Sequence, residues 1–411
     1  MSNPSLDVLE ELSKKLSEHI RELCTTNSDG IAIRREATGI ARRLVDELID
    51  PEEWAAEQTV ALGECAAIRM FMKWGFFDKI PLGGSVSYRE LAGLIGAQEA
   101  LVFRLGQMLV STGMLVSPMP NSVAHSRLSP LFKSGDREGC WFAMLWDDCQ
   151  PGLAKLPEFF EKYGPREPVD KTLPLSFGLS GDGQLDPWEL VAQRGTEHIE
   201  QFGHAMQAMP TYAWPYTGAY DFEWVAKYAV TNSERPLIVD VGGSYGHALR
   251  VHLTKFPGIP PSRCVVEDRA EMILNVKKEH ENDTIMKYVT KVPTDFHKEQ
   301  PVKGALVYLI RRCLHNYNDE VCVNILRILA DSLPDDEPEA RVLINEQIMT
   351  DPPHRFVASI DLTMLTMAAR VRSEQQFEKL ANQAGLILVT VHKQENTTMG
   401  VVECKKGSPM A

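Results

Sequence analysis

The chain has 411 residues, with 43 Lys and Arg against 56 Asp and Glu, for a formal net charge of −13. That length exceeds one ordinary domain of ~100–200 residues and predicts two; hydrophobic residues at 44% exclude a chain that is disordered throughout. The acidic balance argues against nucleic acid or an anionic membrane as the main partner, because both reward clustered Lys and Arg.

The eight cysteines are scattered, with no C-x-x-C pair, so reduced thiols are expected rather than a zinc site or a disulfide scaffold. The start of the chain alternates acids and bases at helical spacing. Neither a secretory core of ~7–15 apolar residues nor a membrane span of ~18 appears, which predicts a cytoplasmic protein.

In chain order, residues 5–50 read as one or two amphipathic helices, with Leu6, Leu9, Leu12, Leu16 and Ile20 three or four apart. Residues 56–80 form another helical stretch, ending in the Gly75–Pro81 region. A short helix follows Ser87, with Glu90 at capping-box spacing. Residues 98–115 form an apolar-periodic helix, and Leu115–Pro118 suggest a small wing. That order invites a DNA-binding reading. The would-be recognition helix carries only Arg104 as a base, however, whereas a groove reader presents polar and basic side chains. Burial in a core or in a homodimer interface is the better expectation.

Residues 150–235 are rich in Pro, Gly and aromatics, with helical character over 187–209. From residue 236 the texture changes to short β-branched runs at 237–241, 263–267, 305–310, 341–348 and 386–391. Helical patterns lie between them near 246–256, 270–280, 318–332 and 373–384. Strands separated by crossover helices predict a mostly parallel, doubly wound α/β domain.

The first of these runs ends in Asp240-Val241-Gly242-Gly243-Ser244-Tyr245-Gly246, directly before a helix. Glycines at a strand–helix junction let backbone turn sharply and approach a ligand. No Lys follows, which argues against a phosphate-cradling loop. Glu267-Asp268 end the next strand, about 20 residues on, where a carboxylate can grip ribose hydroxyls. An adenosine-type cofactor with little phosphate contact is expected.

These segments, with PTDF, YLIRRCLHNYND, VLINEQIM and SEQQFEKLANQAGL further on, resemble the fungal and plant caffeic-acid-type O-methyltransferases. AIRMFMKWGFFDKI and VSYRELAGLIG extend the resemblance into the N-terminal part. It implies an all-α, winged-helix-like dimerisation domain over 1–165 and a Rossmann-like domain over 166–411 that binds S-adenosyl-L-methionine. Gly242, Gly243 and Gly246, with Asp240 beside them, would then line the methionine and ribose. Asp268 would hold the ribose hydroxyls, Asp295 would sit by the adenine, and Arg311 takes the place of a cofactor-contacting Lys. His315 falls on the general base and Glu346 on one of two acids that orient it. Met364 and Met367 fall in the acceptor-lining segment, with Phe142 and Trp146 as looser candidates. Met206 and Met209 form a second pair three apart, which on a helix shares a face; such pairs are often plain core.

Methyl transfer to oxygen needs a positioned acceptor and a base for its proton. No metal is required, and no ligand spacing suggests one. Three departures from the family pattern stand out: Asn316 for an Asp, Val371 for the second orienting acid before Arg372-Ser373, and Asp268-Arg269-Ala270 for Asp-Leu-Pro. Phenolic or enolic O-methylation is expected because His315 and Glu346 remain. A pericyclase or dehydratase that binds the cofactor without spending its methyl stays open, as does a cofactor-binding scaffold without chemistry.

Overall fold

The computed structural model describes residues 5–25, 30–168, 172–181, 183, 193–207, 219–231, 234–393 and 397–407, without the side chains of residues 196, 199, 200, 203, 206 and 207. The chain divides into two compact units, Met1–Gly139 and Cys140–Ala411. That division precedes the boundary expected near residue 165, because the helices that follow Gly139 pack within the second unit, in the same clusters as its later helices.

In the first unit, the N-terminal amphipathic pattern forms two helices, Leu6–Thr25 and Ile31–Leu48. The next helix, Pro51–Lys73, starts with Pro in its first turn, where a missing N–H costs nothing. Left-handed Gly75 (φ 66°) ends the helical run before the short helix Phe76–Lys79. Phe71, Phe76 and Phe77 are fully buried, with Phe71 and Phe76 edge to face at 5.2 Å. The capping box is present: Glu90 N donates to Ser87 Oγ at 3.1 Å, and Ser87 N donates to Glu90 Oε2 at 2.9 Å. Helices Tyr88–Ile95 and Glu99–Ser111 follow. The wing is a small antiparallel sheet of β1 (Ser85–Ser87), β2 (Leu115–Val116) and β3 (Ser122–His125), in the order β1-β3-β2.

The second unit opens with helices and a π-helical turn, Leu145–Cys149, inside the run that starts at Arg137. The helical character expected over 187–209 is confined, among the described residues, to Thr196–Gln207. Gly195, with φ 97°, stands just before it.

The sheet comprises β4 (Ile238–Val241), β5 (Cys264–Asp268), β6 (Thr290–Pro293), β7 (Val307–Arg311), β8 (Arg341–Gln347), β9 (Leu386–Lys393) and β10 (Met399–Lys406). Its order is β6-β5-β4-β7-β8-β10-β9, with β6 to β8 parallel and β10 antiparallel to both neighbours. Every residue of β4 is buried, as the continuous apolar run of a strand covered on both faces requires. One core packs helices Asp319–Ala330 and Glu374–Gln383 against the sheet, and a second packs Glu223–Thr231 and His247–Lys255. The chain winds outward from β4 to β6, then returns to the other side of β4 at β7. Ligands bind at such a switch point, outside the carboxyl ends of the strands. Two strands add to those expected: β6, a half-exposed edge without an apolar run, and β10, whose apolar residues end in charged Lys405 and Lys406.

Candidate active site

Immediately after β4, Gly242, Ser244 and Gly246 take left-handed backbone, with φ of 65°, 51° and 66°. Gly243 is there for a different reason. A Cβ on it would lie 2.6 Å from Asp240 Oδ2, and one on Gly242 would lie 3.0 Å from Cys313 Sγ and Phe296 Cε1. The loop is anchored by Gly243 N to Glu267 O at 2.9 Å and Ser244 N to Asp268 Oδ2 at 2.8 Å.

The two acids at the end of β5 point to opposite fates. Glu267 is buried, accepts from Gln300 Nε2 at 2.8 Å, and is pushed by burial up to about 7. Asp268 is half-buried; its two oxygens accept from Ser244 N and from Arg269 N, each at 2.8 Å. A carboxylate oxygen has two lone-pair directions, so each keeps one for a hydroxyl donor. Burial raises its pKa against the pull of those two N–H groups.

Asp240, under the glycine loop, is 1% exposed and its Oδ2 has no hydrogen-bond partner. Burial pushes its pKa up to about 7, opposed by the charge of Arg311 and reinforced by that of Asp268. Asp295 lies beyond β6, held down by its bond to Lys298 at 2.8 Å. The neighbouring Phe296 ring is half-buried. A glycine cradle, an acid with free lone pairs beside it and a ring at its edge fit an adenosyl group. Gly242, Gly243, Gly246, Asp268, Asp295 and Arg311 would hold that cofactor.

His315 stands four residues past β7 in the 3-10 turn Leu314–Asn316. Its Nδ1 meets Glu346 Oε2, on β8, at 2.7 Å. Glu346 Oε1 accepts from Leu314 N at 2.9 Å and from His315 N at 3.4 Å. Burial is the largest influence on Glu346 and would raise its pKa, but the charge and bonds of His315 and the charge of Arg312 hold it below the ordinary value. The carboxylate makes Nδ1 the donor, which leaves Nε2 to accept. The next residue is Asn316, and where a second acid was expected Val371 is buried in an apolar cluster with Val357, Ile360 and Met364.

On the acceptor side, Met364 joins that cluster, but Met367 lies past the end of helix Arg355–Leu365, so the two share no helical face. Phe142 and Trp146 are half-buried. Trp141, like Phe356, packs against the clusters of Val371 and of Met399; nothing in its spacing sets it apart from its neighbours. The side chain of Met206 lies outside the described residues, as does all of Met209. Sequence reading also missed a polar group in the π-helical turn. There, buried Asp148 Oδ1 accepts from Arg194 Nη1 at 2.7 Å and pairs with His198 Nε2 at 3.0 Å.

Among the described residues, no cluster of His, Cys, Asp and Glu suits a metal, and no helix is long and apolar enough to cross a membrane.

Residues 225–387 match the model of an O-methyltransferase domain. The chain is 40% identical over 404 residues to "Methyltransferase cfoD" of Aspergillus candidus, covering 97% of this chain and 98% of that one. In fold it is similar to OxaC solved in complex with SAH and oxaline, at a TM-score of 0.83 and 18% identity, over 97% of this chain and 98% of the other. A solved chain described as a pericyclic reaction enzyme aligns at a TM-score of 0.79 and 19% identity, over 98% of this chain and 100% of its own. By the domain match and the 40% identity across nearly the whole chain, the protein belongs to the S-adenosylmethionine-dependent O-methyltransferase family.

Proposed function

We propose that the protein methylates a phenolic or enolic oxygen on a small secondary metabolite, with His315 as general base. The observation that carries this is the bond of His315 Nδ1 to buried Glu346 at 2.7 Å. When bound, S-adenosylmethionine supplies an electrophilic methyl on a sulfonium. The protein's share is the acceptor proton. A phenol of pKa ~10 costs ~4 kcal/mol to ionise beforehand at neutral pH, at 1.36 kcal/mol per unit. Transfer of that proton to Nε2 as the oxygen becomes nucleophilic avoids this cost and is worth ~10²–10⁴ in rate. Glu346 then faces an imidazolium at hydrogen-bond distance and stabilises it. Asp268 and the glycine loop fix the cofactor, and Trp141 and Met364 help to wall the acceptor side.

One observation favours a second reading, in which the cofactor is bound and its methyl retained while a cyclisation or dehydration proceeds. Val371 leaves the imidazole with one orienting carboxylate rather than two. Incubation with methyl-labelled cofactor and a panel of phenols and enols separates the two. Label appearing in product supports methyl transfer; product formed while the donor stays intact supports the other. The exposed Trp54, Leu62, Leu94 and Leu101 of the first unit support a homodimer, for which light scattering should return twice the chain mass.

A further inference from the structure

We infer that Arg372 is the positioning residue for His315, joining the turn that carries the imidazole to the strand that carries Glu346. Arg372 is 1% exposed. All five of its N–H directions are used. Nε and Nη2 donate to Asp319 Oδ1 at 2.9 and 2.8 Å, Nη2 to Tyr317 O at 2.8 Å, and Nη1 to Leu314 O at 2.9 Å and Arg370 O at 3.3 Å. Leu314 opens the 3-10 turn that presents His315 and Tyr317 follows its last residue, so the guanidinium grips the turn at both ends. Asp319, the third anchor, is the first residue of helix Asp319–Ala330.

The backbone of the same residue reaches the other partner. Arg372 O accepts from Met349 N at 3.0 Å, and Arg372 pairs with Ile348 in a parallel bridge. Ile348 is two residues beyond Glu346, so one residue fixes the carboxylate's strand and the imidazole's turn. This matters more here because the neighbouring position holds no acid. Val371 turns its side chain into an apolar cluster and its N–H to Asp361 Oδ1 at 2.7 Å. With one carboxylate on the ring, the orientation of His315 rests on Glu346 and on the frame around it. A lysine offers three donors from a single point and cannot span these acceptors.

The inference builds on the base role proposed above but is tested apart from it. The Nδ1 proton shared with Glu346 should give a downfield proton NMR signal, assigned by its loss in H315N. In R372K that signal should broaden or vanish, while S-adenosylhomocysteine binds within about two-fold of the parent. D319N, altered at a half-exposed carboxylate, should weaken the signal less and serves where R372K does not fold. In R372A, added guanidinium should restore it. Where a methyl acceptor is in hand, kcat for R372K should fall at least about ten-fold, with acceptor KM little changed. An unshifted signal in both R372K and D319N overturns the inference. So does a loss of signal in step with loss of cofactor binding and without guanidinium rescue. If the signal responds as expected but H315A still methylates at the parent rate, the base role fails and the positioning role stands.

Discussion

The two halves of the site each rest on a carboxylate that accepts backbone N–H groups, and they use it in opposite ways. Asp268 takes one N–H on each oxygen, is half-buried, and keeps lone pairs for a ligand. Glu346 is 1% exposed and spends its oxygens on Leu314, His315 and the imidazole. On the proposed reading, the first carboxylate is half of a contact that a ligand would complete. The second is complete without one, and its product is the orientation of a neighbour. Cofactor binding and base chemistry should therefore fail separately when each half is damaged.

The largest effect expected is on the histidine half. H315A should lower kcat on a phenolic acceptor ~10²–10⁴-fold, the usual worth of a positioned base. Cofactor affinity by calorimetry should stay within about two-fold. Equal losses in both would show that the halves are not separate.

On the glycine half, G243A should do the reverse. Its new Cβ would lie 2.6 Å from the Asp240 carboxylate, and Asp240 is buried and has little room to yield. Overpacking of this kind costs about 1–3 kcal/mol; carried into the cofactor site, that is a weakening of cofactor affinity by roughly 5–150-fold. Turnover at saturating cofactor should change far less. D268N is milder: an amide still offers one oxygen to Ser244 or Arg269 but loses acceptor capacity for a hydroxyl pair. About a ten-fold rise in cofactor Kd is expected, read by the same titration.

These halves were not equally legible in the sequence. The glycine loop was, because left-handed backbone and close approach leave a residue-type signature at adjacent positions. His315 and Glu346 were found through resemblance, since their pairing joins a turn and a strand at positions 31 residues apart and no local spacing encodes it. Arg372 was visible only as a neighbour of the departure at Val371. Its role depends on three acceptors gathered from a turn and a helix start, which is a tertiary fact. The acceptor side was least legible: Trp141, Phe142 and Trp146 are interchangeable in a helical pattern until packing chooses among them. That Met364 and Met367 share no helical face was not legible, because the helix ends at Leu365 and left-handed Ala368 gave no residue-type warning. Edge strand β6 has no apolar run to announce it.

The smallest effect separates the halves by pH. Asp240, pushed up to about 7 in the fold from 3.8, holds a proton that the unfolded chain has already released between those values. Stability from this group is full below the lower value and falls as pH rises through the window, levelling off above about 7. Glu346 is held below its ordinary 4.5, so its contribution is present above that value and is lost as pH falls through the folded one. D240N should therefore gain stability relative to the parent as pH rises from 5 to 8, by about 2–3 kcal/mol at 1.36 kcal/mol per unit. E346Q should differ from the parent most above pH 4.5, where the Glu346 carboxylate is charged. Glu267 also titrates near 7 and is raised in part by the charge of Asp240, so D240N lowers it as well and its share of the difference has the same sign. The charge that Arg311 loses as a partner in D240N is constant from pH 5 to 8, so it shifts the whole curve without tilting it. Denaturant midpoints at several pH values thus read the slope alone, and a flat difference between D240N and parent would mean that the carboxylate under the glycine loop is already ionised in the fold.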